Sequence, residues 1–171
     1  MDVIVVNGLE VIVQDDYLSQ DTFNMLYNKS QELNPIDEME RHFFKEDPTP
    51  HMADLINCFS KHREYEIPSK LVHINATPPN FEHPIHDEAS FKIMSAIVYL
   101  GPEESHGTTF YMGEEFAVEW KPNRLMVFCG ETDVTWHGWT SGDHQRFTYN
   151  YFITDDSKVQ NEAVKDTLLR M

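Results

Sequence analysis

The chain has little cysteine, little positive charge and no long apolar run, and each shortage removes a class of protein. Its two cysteines, Cys58 and Cys129, stand far apart without a close pairing pattern, which argues against a disulfide scaffold or a zinc finger and for two buried free thiols. Lys and Arg number 13 against 29 Asp and Glu, for a net charge of -16, so phosphate backbones and anionic membrane surfaces would be repelled. Nucleic acid and membranes are therefore not expected partners. The acids are scattered in pairs such as Asp15-Asp16 and Glu114-Glu115 without a long block. They read as a solvated surface, and through steering alone they favour a neutral or basic substrate. The opening MDVIVVNGLEVIVQDD lacks both a basic leader and a long apolar stretch, so neither a secretory signal nor an anchor is read there, and a cytoplasmic location is expected. No internal repeat or low-complexity tract is visible.

What is present is a core. Forty per cent of the 171 residues are hydrophobic, with 11 Phe, 7 Tyr and 3 Trp, enough for one substantial domain. Asn7-Gly8 between VIVV and LEVIV signals a hairpin over 2 to 14. Ser19 or Asp21 can cap a helix running to about Leu33, with Asn34-Pro35 ending it. Residues 35 to 50 are charged and aperiodic and read as an irregular connection or flap without chemistry. Thr49-Pro50 opens a second helix carrying Met52, Leu55, Ile56 and Phe59 to about His62.

From 68 to 154 the character changes to short β-rich segments separated by turn residues: LVHINA, FKIMSAIVYL, GTTFYM, EFAVEW, RLMVFC, VTWHGW and RFTYNYFIT. These predict an antiparallel sandwich or barrel. Val159, Ala163, Val164, Leu168 and Leu169 predict a helix over 155–171. The expectation is one domain, with a hairpin and supporting helices in 1–67, a β core in 68–154 and a C-terminal helix.

The chemistry centres on HPIHDE, His83 to Glu88. Residues two apart on a strand share a face, so His86 and Glu88 can converge on one ion while Asp87 points away, and a gap of three sets His83 out of line. His137 in VTWHGW supplies a second imidazole. Two imidazoles and one carboxylate hold a ferrous ion and leave one side open. Nine residues beyond His137, Arg146 and Thr148 share a face and offer a guanidinium fork and a hydroxyl suited to a carboxylate. A buried Arg needs an anion opposite it, from the chain or from a ligand.

His86-x-Glu88, His137 and Arg146-x-Thr148, in that order among short strands, resemble the iron and 2-oxoglutarate-dependent dioxygenases, in particular the prolyl 4-hydroxylase-like ones, over about residues 70 to 154. The resemblance implies a mainly β fold with flanking helices, a double-stranded β-helix (jelly-roll, cupin-like). It implies Fe(II) on His86, Glu88 and His137, with 2-oxoglutarate held by Arg146, Thr148 and the hydroxyl of Tyr99, and dioxygen as co-substrate. It further implies a hydroxylase acting on an unactivated C–H bond of a small molecule or peptide, a prolyl peptide or amino acid being the first to assay, with release of succinate and carbon dioxide. Glu88 stands where Asp is commoner. Gly107-Thr108 and Lys121-Pro122-Asn123-Arg124 match turns of the family and read as structural.

Other residues have plainer readings. Phe91, Ile93, Ile97 and Tyr99 share one strand parity and read as barrel interior, whereas Lys92, of opposite parity, reads as a surface lysine. His73 and Asn75 face one way, with a structural hydrogen bond as the expectation. Trp136 and Trp139 read as packing, and His144 as exposed in a turn. Two other classes stay open: a cupin-like isomerase or lyase using a divalent ion as Lewis acid, and a non-catalytic β-sandwich binding module.

Overall fold

The computed structural model describes residues 2–6, 8–59, 69–111, 113–130 and 133–155. Strands β1 (Asp2–Val6) and β2 (Leu9–Gln14) form the hairpin, with Gly8 at φ 82° supplying the positive φ that the turn requires. Helix α1 (Gln20–Ser30) is capped by Ser19, whose Oγ accepts from the Thr22 N–H at 3.3 Å. It stops short of Leu33 because the next turn tightens: Glu32 N–H bonds to the Lys29 carbonyl and Leu33 N–H to that of Ser30.

Residues 35 to 50 are not simply an irregular connection. They contain strand β3 (Glu40–Phe43), which pairs with β4 (Ser69–Thr77), Arg41 opposite Asn75 and Phe43 opposite His73. A strand this short and this charged lacks a periodic signal, and at the edge of a sheet it needs none. Pro50–Cys58 is a 3₁₀ helix rather than an α-helix. Its apolar residues fall at spacings of three, Met52 with Leu55 and Ile56 with Phe59, which 3₁₀ geometry eclipses on one side. The Thr49 hydroxyl does not cap it but lies 2.6 Å from the Tyr149 hydroxyl. Cys58 is exposed, not buried, while Cys129 is buried, and neither is in a disulfide. The expected helix over 155–171 and the end of the second helix lie outside the described residues.

The remaining strands are β5 (Glu82–His86), β6 (Lys92–Gly101), β7 (Thr108–Tyr111), β8 (Glu115–Val118), β9 (Leu125–Cys129), β10 (His137–Thr140) and β11 (Arg146–Thr154). They form two antiparallel sheets, one of seven strands in the order β1-β2-β9-β6-β11-β4-β3 and one of four in the order β5-β10-β7-β8. The large sheet draws on both the N-terminal segment and the later β segment. Among the described residues no helix is long and apolar enough to cross a membrane.

All nine residues of β11 are buried. Its odd positions, Phe147, Tyr149, Tyr151 and Ile153, pack with Ile74, Ala96, Val98 and the buried residues of α1 and the 3₁₀ helix. Its even positions face the small sheet. At one end the gap between the sheets is filled by Leu9, Val11, Phe110, Val118, Met126 and Phe128, each such side chain contributing roughly 1.5–3 kcal/mol of burial. The other end is a cavity of about 470 Å³. Gly107 admits the close approach of the chain entering β7 to its partner strand β8, since a Cβ there would lie 1.9 Å from the Val118 carbonyl oxygen.

Candidate active site

The antiparallel pairing of β5 with β10 sets His86 directly opposite His137, their ring centroids 4.4 Å apart. Nδ1 of His86 lies 2.9 Å from the Pro84 carbonyl and Nδ1 of His137 2.8 Å from that of Thr135. A carbonyl only accepts, so each Nδ1 carries the proton and each Nε2 keeps its lone pair, the tautomer a metal ligand needs. Burial pushes the His137 imidazole down to about 4, against the opposing pull of the Glu88 charge, so it is neutral at physiological pH.

Glu88 lies just past the end of β5, 2% exposed. Its Oε1 accepts from the Ser95 hydroxyl at 2.7 Å and lies 3.8 Å from His137 Nε2. Lys92 Nζ stands 2.8 Å from Oε2, an ion pair by distance whose angle leaves Oε2 without a directed hydrogen bond. Burial opposes ionisation of Glu88, but the Lys92 ammonium, His137 and the Ser95 hydroxyl outweigh it and hold the carboxyl below its ordinary value. As placed, the three donors do not close into a cage, and among the described residues no three such side chains do. Two donors each about 2.1 Å from one ion can stand up to about 4.2 Å apart, so the 3.8 Å between Glu88 and His137 admits an ion shared between them.

Arg146 and Thr148 share the even face of β11, as their spacing requires, and both are buried. The Arg146 guanidinium sits among aromatic rings, its Cζ 4.2 Å from the centroid of Trp139, 5.1 Å from that of Trp120 and 5.5 Å from that of Tyr99. Its Nη2 reaches Thr108 Oγ1 at 3.5 Å, and its Nε, also buried, has no hydrogen-bond partner. Among the described residues no carboxylate pairs with it. Burial pulls its pKa down to about 10, which leaves it charged at neutral pH. Thr148 Oγ1 accepts from Asn150 Nδ2 at 3.2 Å. The Tyr99 hydroxyl donates toward Thr108 Oγ1 at 3.0 Å and accepts from the Thr108 N–H at 3.1 Å. Tyr99 meets Arg146 with its ring and with a side-chain hydrogen bond that supports the guanidinium charge, and Thr108 links the two.

Two one-residue register shifts bring in side chains that strict alternation sends elsewhere. Between β5 and β10, His137 pairs with His86 but Trp139 pairs with His83, so β5 carries an extra residue. His83 is thereby brought into line with His86, ring centroids 4.4 Å apart, and stacks on Trp139 at 5.1 Å. Between β6 and β11, Ile153 pairs with Met94 but Thr154 with Lys92. Ile93 and Met94 both enter the helix-side core, and Lys92 is turned into the cavity, 4.1 Å over the Phe152 ring. It is not a surface lysine, and Ile93 is not on the cavity side. His73 is buried and has the expected side-chain hydrogen bond with Asn75, although its Nδ1 is left without a partner. Trp139 lines the cavity, whereas Trp136 is exposed, and so is His144.

No protein-family model matches the chain, and no curated protein matches it in sequence. Solved structures do match. A prolyl-4-hydroxylase from Pseudomonas putida superposes with a TM-score of 0.69 at 16% identity, covering 85% of this chain and 92% of that one. A prolyl hydroxylase from Trichoplax adhaerens, in complex with a peptide fragment of the hypoxia inducible factor oxygen degradation domain, gives 0.68 at 11% identity over 86% and 84%. The viral collagen prolyl hydroxylase of Paramecium bursaria Chlorella virus-1, in its 2-oxoglutarate complex, gives 0.63 at 16% identity over 84% and 94%. The fold is the double-stranded β-helix of the prolyl hydroxylases. In this prolyl-hydroxylase fold the residues that sequence reasoning missed are Thr108, taken as a structural turn residue, and His83, Lys92 and Arg41, which sit on irregular or edge backbone.

Proposed function

We propose that the chain is an Fe(II)- and 2-oxoglutarate-dependent oxygenase that hydroxylates an unactivated C–H bond of a small molecule or a peptide. The observation that carries this reading is a pairing of unmet needs across one cavity. Neutral imidazoles with free Nε2 atoms line it beside a buried carboxylate, and directly behind its Thr108 and Trp139 lining a buried guanidinium lacks an anion. In this reading His86, Glu88 and His137 are the metal ligands.

Arg146 takes the far carboxylate of 2-oxoglutarate with Thr148 beside it, and Tyr99, Trp120 and Trp139 supply a dry floor that strengthens the pair. When bound, the ferrous ion and the keto acid supply the oxidising power, dioxygen being consumed as 2-oxoglutarate is converted to succinate and carbon dioxide. Ser95 and Lys92 fix the Glu88 carboxylate, while the Pro84 and Thr135 carbonyls fix the two imidazole rings, so the ligand arms are oriented before an ion arrives. The fold likeness to structures bound to a peptide and to 2-oxoglutarate agrees with this reading.

Anaerobic titration with Fe(II) and 2-oxoglutarate is the test. A visible charge-transfer band should rise to one equivalent of metal and disappear in His137→Ala. A band unchanged by that substitution, or none in the native protein, refutes the ligand assignment. Oxygen uptake coupled to succinate release separates this reaction from Lewis-acid isomerase or lyase chemistry.

A further inference from the structure

We propose that the mouth of the cavity, built on β3 and β4, is a subsite for a small carboxylic acid of amino-acid size, with Arg41 gripping its carboxylate. The oxygenase reading enters only in calling that acid the substrate.

Antiparallel register lays this part of the large sheet out in rows. Arg41 stands opposite Asn75, Asn75 opposite Thr148 and Thr148 opposite Tyr99; in the next row Phe43, His73, Asn150 and Ile97 follow one another. Arg41 is therefore two strands from the strand of Arg146, about 10 Å at ordinary strand spacing. A carboxylate at one does not occupy the other. Arg41 is anchored by one bond, Nε to Asn75 Oδ1 at 3.1 Å, with only the weak acceptor Met39 Sδ at 3.8 Å from Nη2. Among the described residues no carboxylate pairs with it. That is notable in so acidic a chain, where Arg124, Lys29, Lys70 and Lys121 each have an acidic partner. The guanidinium is held in position by Asn75 and lines the cavity.

His73 adds a second sign of a ligand. It is 4% exposed, faces the cavity and, besides its side-chain hydrogen bond with Asn75, keeps an Nδ1 with no partner. Its ring lies between those of Phe43 and Phe152, at 5.1 and 5.4 Å. A neutral imidazole so placed can make one hydrogen bond to an uncharged polar group, while Phe43, Leu71 and Phe152 take an apolar body. The field agrees, because Arg41 and Lys92 both act on His73 and on His83 as positive neighbours. The carboxylate on the cavity wall, Glu88, is already paired with Lys92. Inside a molecule of net charge -16, the cavity is locally cationic and suits an anion. This reverses the preference for neutral or basic substrates that the overall charge suggests.

The test compares N-acetyl-L-leucine with N-acetyl-L-leucinamide by ligand-observed NMR on the full chain, with and without Fe(II) and saturating 2-oxoglutarate under anaerobic conditions. The acid should bind about tenfold tighter than the amide, the scale of one charge-assisted hydrogen bond. Arg41→Gln should remove the preference, Arg41→Lys should keep part of it, and Arg146→Leu should leave it unchanged. Equal binding of acid and amide to the native chain overturns the proposal. So does a preference that survives Arg41→Gln or that vanishes in Arg146→Leu, or a peptide blocked at both ends that competes as well as the acid. Because Arg41 is exposed, its variants should fold, and thermal melts confirm it. Loss of the Fe(II) and 2-oxoglutarate band would count against the oxygenase reading alone, since the acid-to-amide ratio is read separately.

Discussion

Arg146 shows how a single residue can serve a site at the expense of the fold. A guanidinium that is 2% exposed and lacks an acidic partner among the described residues carries a desolvation cost that aromatic rings offset only in part. Arg146→Met should therefore bind 2-oxoglutarate at least 100-fold more weakly, as judged by quenching of the adjacent Trp120 and Trp139 fluorescence. The same variant should be about 1–3 kcal/mol more stable than the native chain without ligand in urea unfolding. A variant that loses stability would mean that the rings, not a ligand, satisfy the charge. His73 makes a prediction in pH. Burial, reinforced by Arg41 and Lys92, lowers its pKa from 6.5 to about 3, so below pH 6.5 the unfolded chain takes up a proton that the folded chain refuses. Its neutral state costs nothing above pH 6.5, and stability falls as the pH drops from there toward 3, by about 1.4 kcal/mol per unit. His73→Leu should flatten this slope, narrowing its stability difference from the native chain by about 2 kcal/mol in favour of the variant between pH 7 and pH 5. An identical acid slope in both proteins would place the proton elsewhere.

At the scale of elements, strand alternation places Arg146 and Thr148 on one face of β11 as their spacing suggests, whereas Glu88 comes within reach of His137 from backbone beyond the end of β5. Alternation misplaces His83, Lys92 and Ile93 because a single extra residue in β5 and another in β6 invert the parity on one side of each shift. Nothing in HPIHDE or FKIMSA marks where that residue falls, since a bulge is decided by the partner strand. β3 was equally illegible: four residues, ERHF, whose strand character comes from pairing with β4. Hairpin β1-β2, by contrast, is announced by its own turn. The close approach of Gly107 to β8 yields a direct prediction. Gly107→Ala would drive a methyl group into the Val118 carbonyl, so it should cost at least about 3 kcal/mol and displace Thr108. A melt within about 1 kcal/mol of the native value would mean that the two strands can part without consequence.

Over the whole molecule, the expected jelly-roll is present, but its partition differs from a β core resting on an N-terminal support. The hairpin closes one edge of the large sheet and β3 closes the other, so an N-terminal truncation would remove core strands. The two thiols give a simple check on the global packing: a thiol reagent should modify Cys58 at once and Cys129 only on unfolding. Reaction of both in the folded protein would refute the burial of β9.

Strand β11 has a consequence beyond its position. With every residue buried, its odd members build the core while its even members face the small sheet, Asn150 and Phe152 lining the cavity. Durability and specificity are thus inherited together on nine consecutive codons. A lineage adapting to a new substrate would find little room there and would change instead at the margins, on β3, whose Glu40 and Arg41 are exposed.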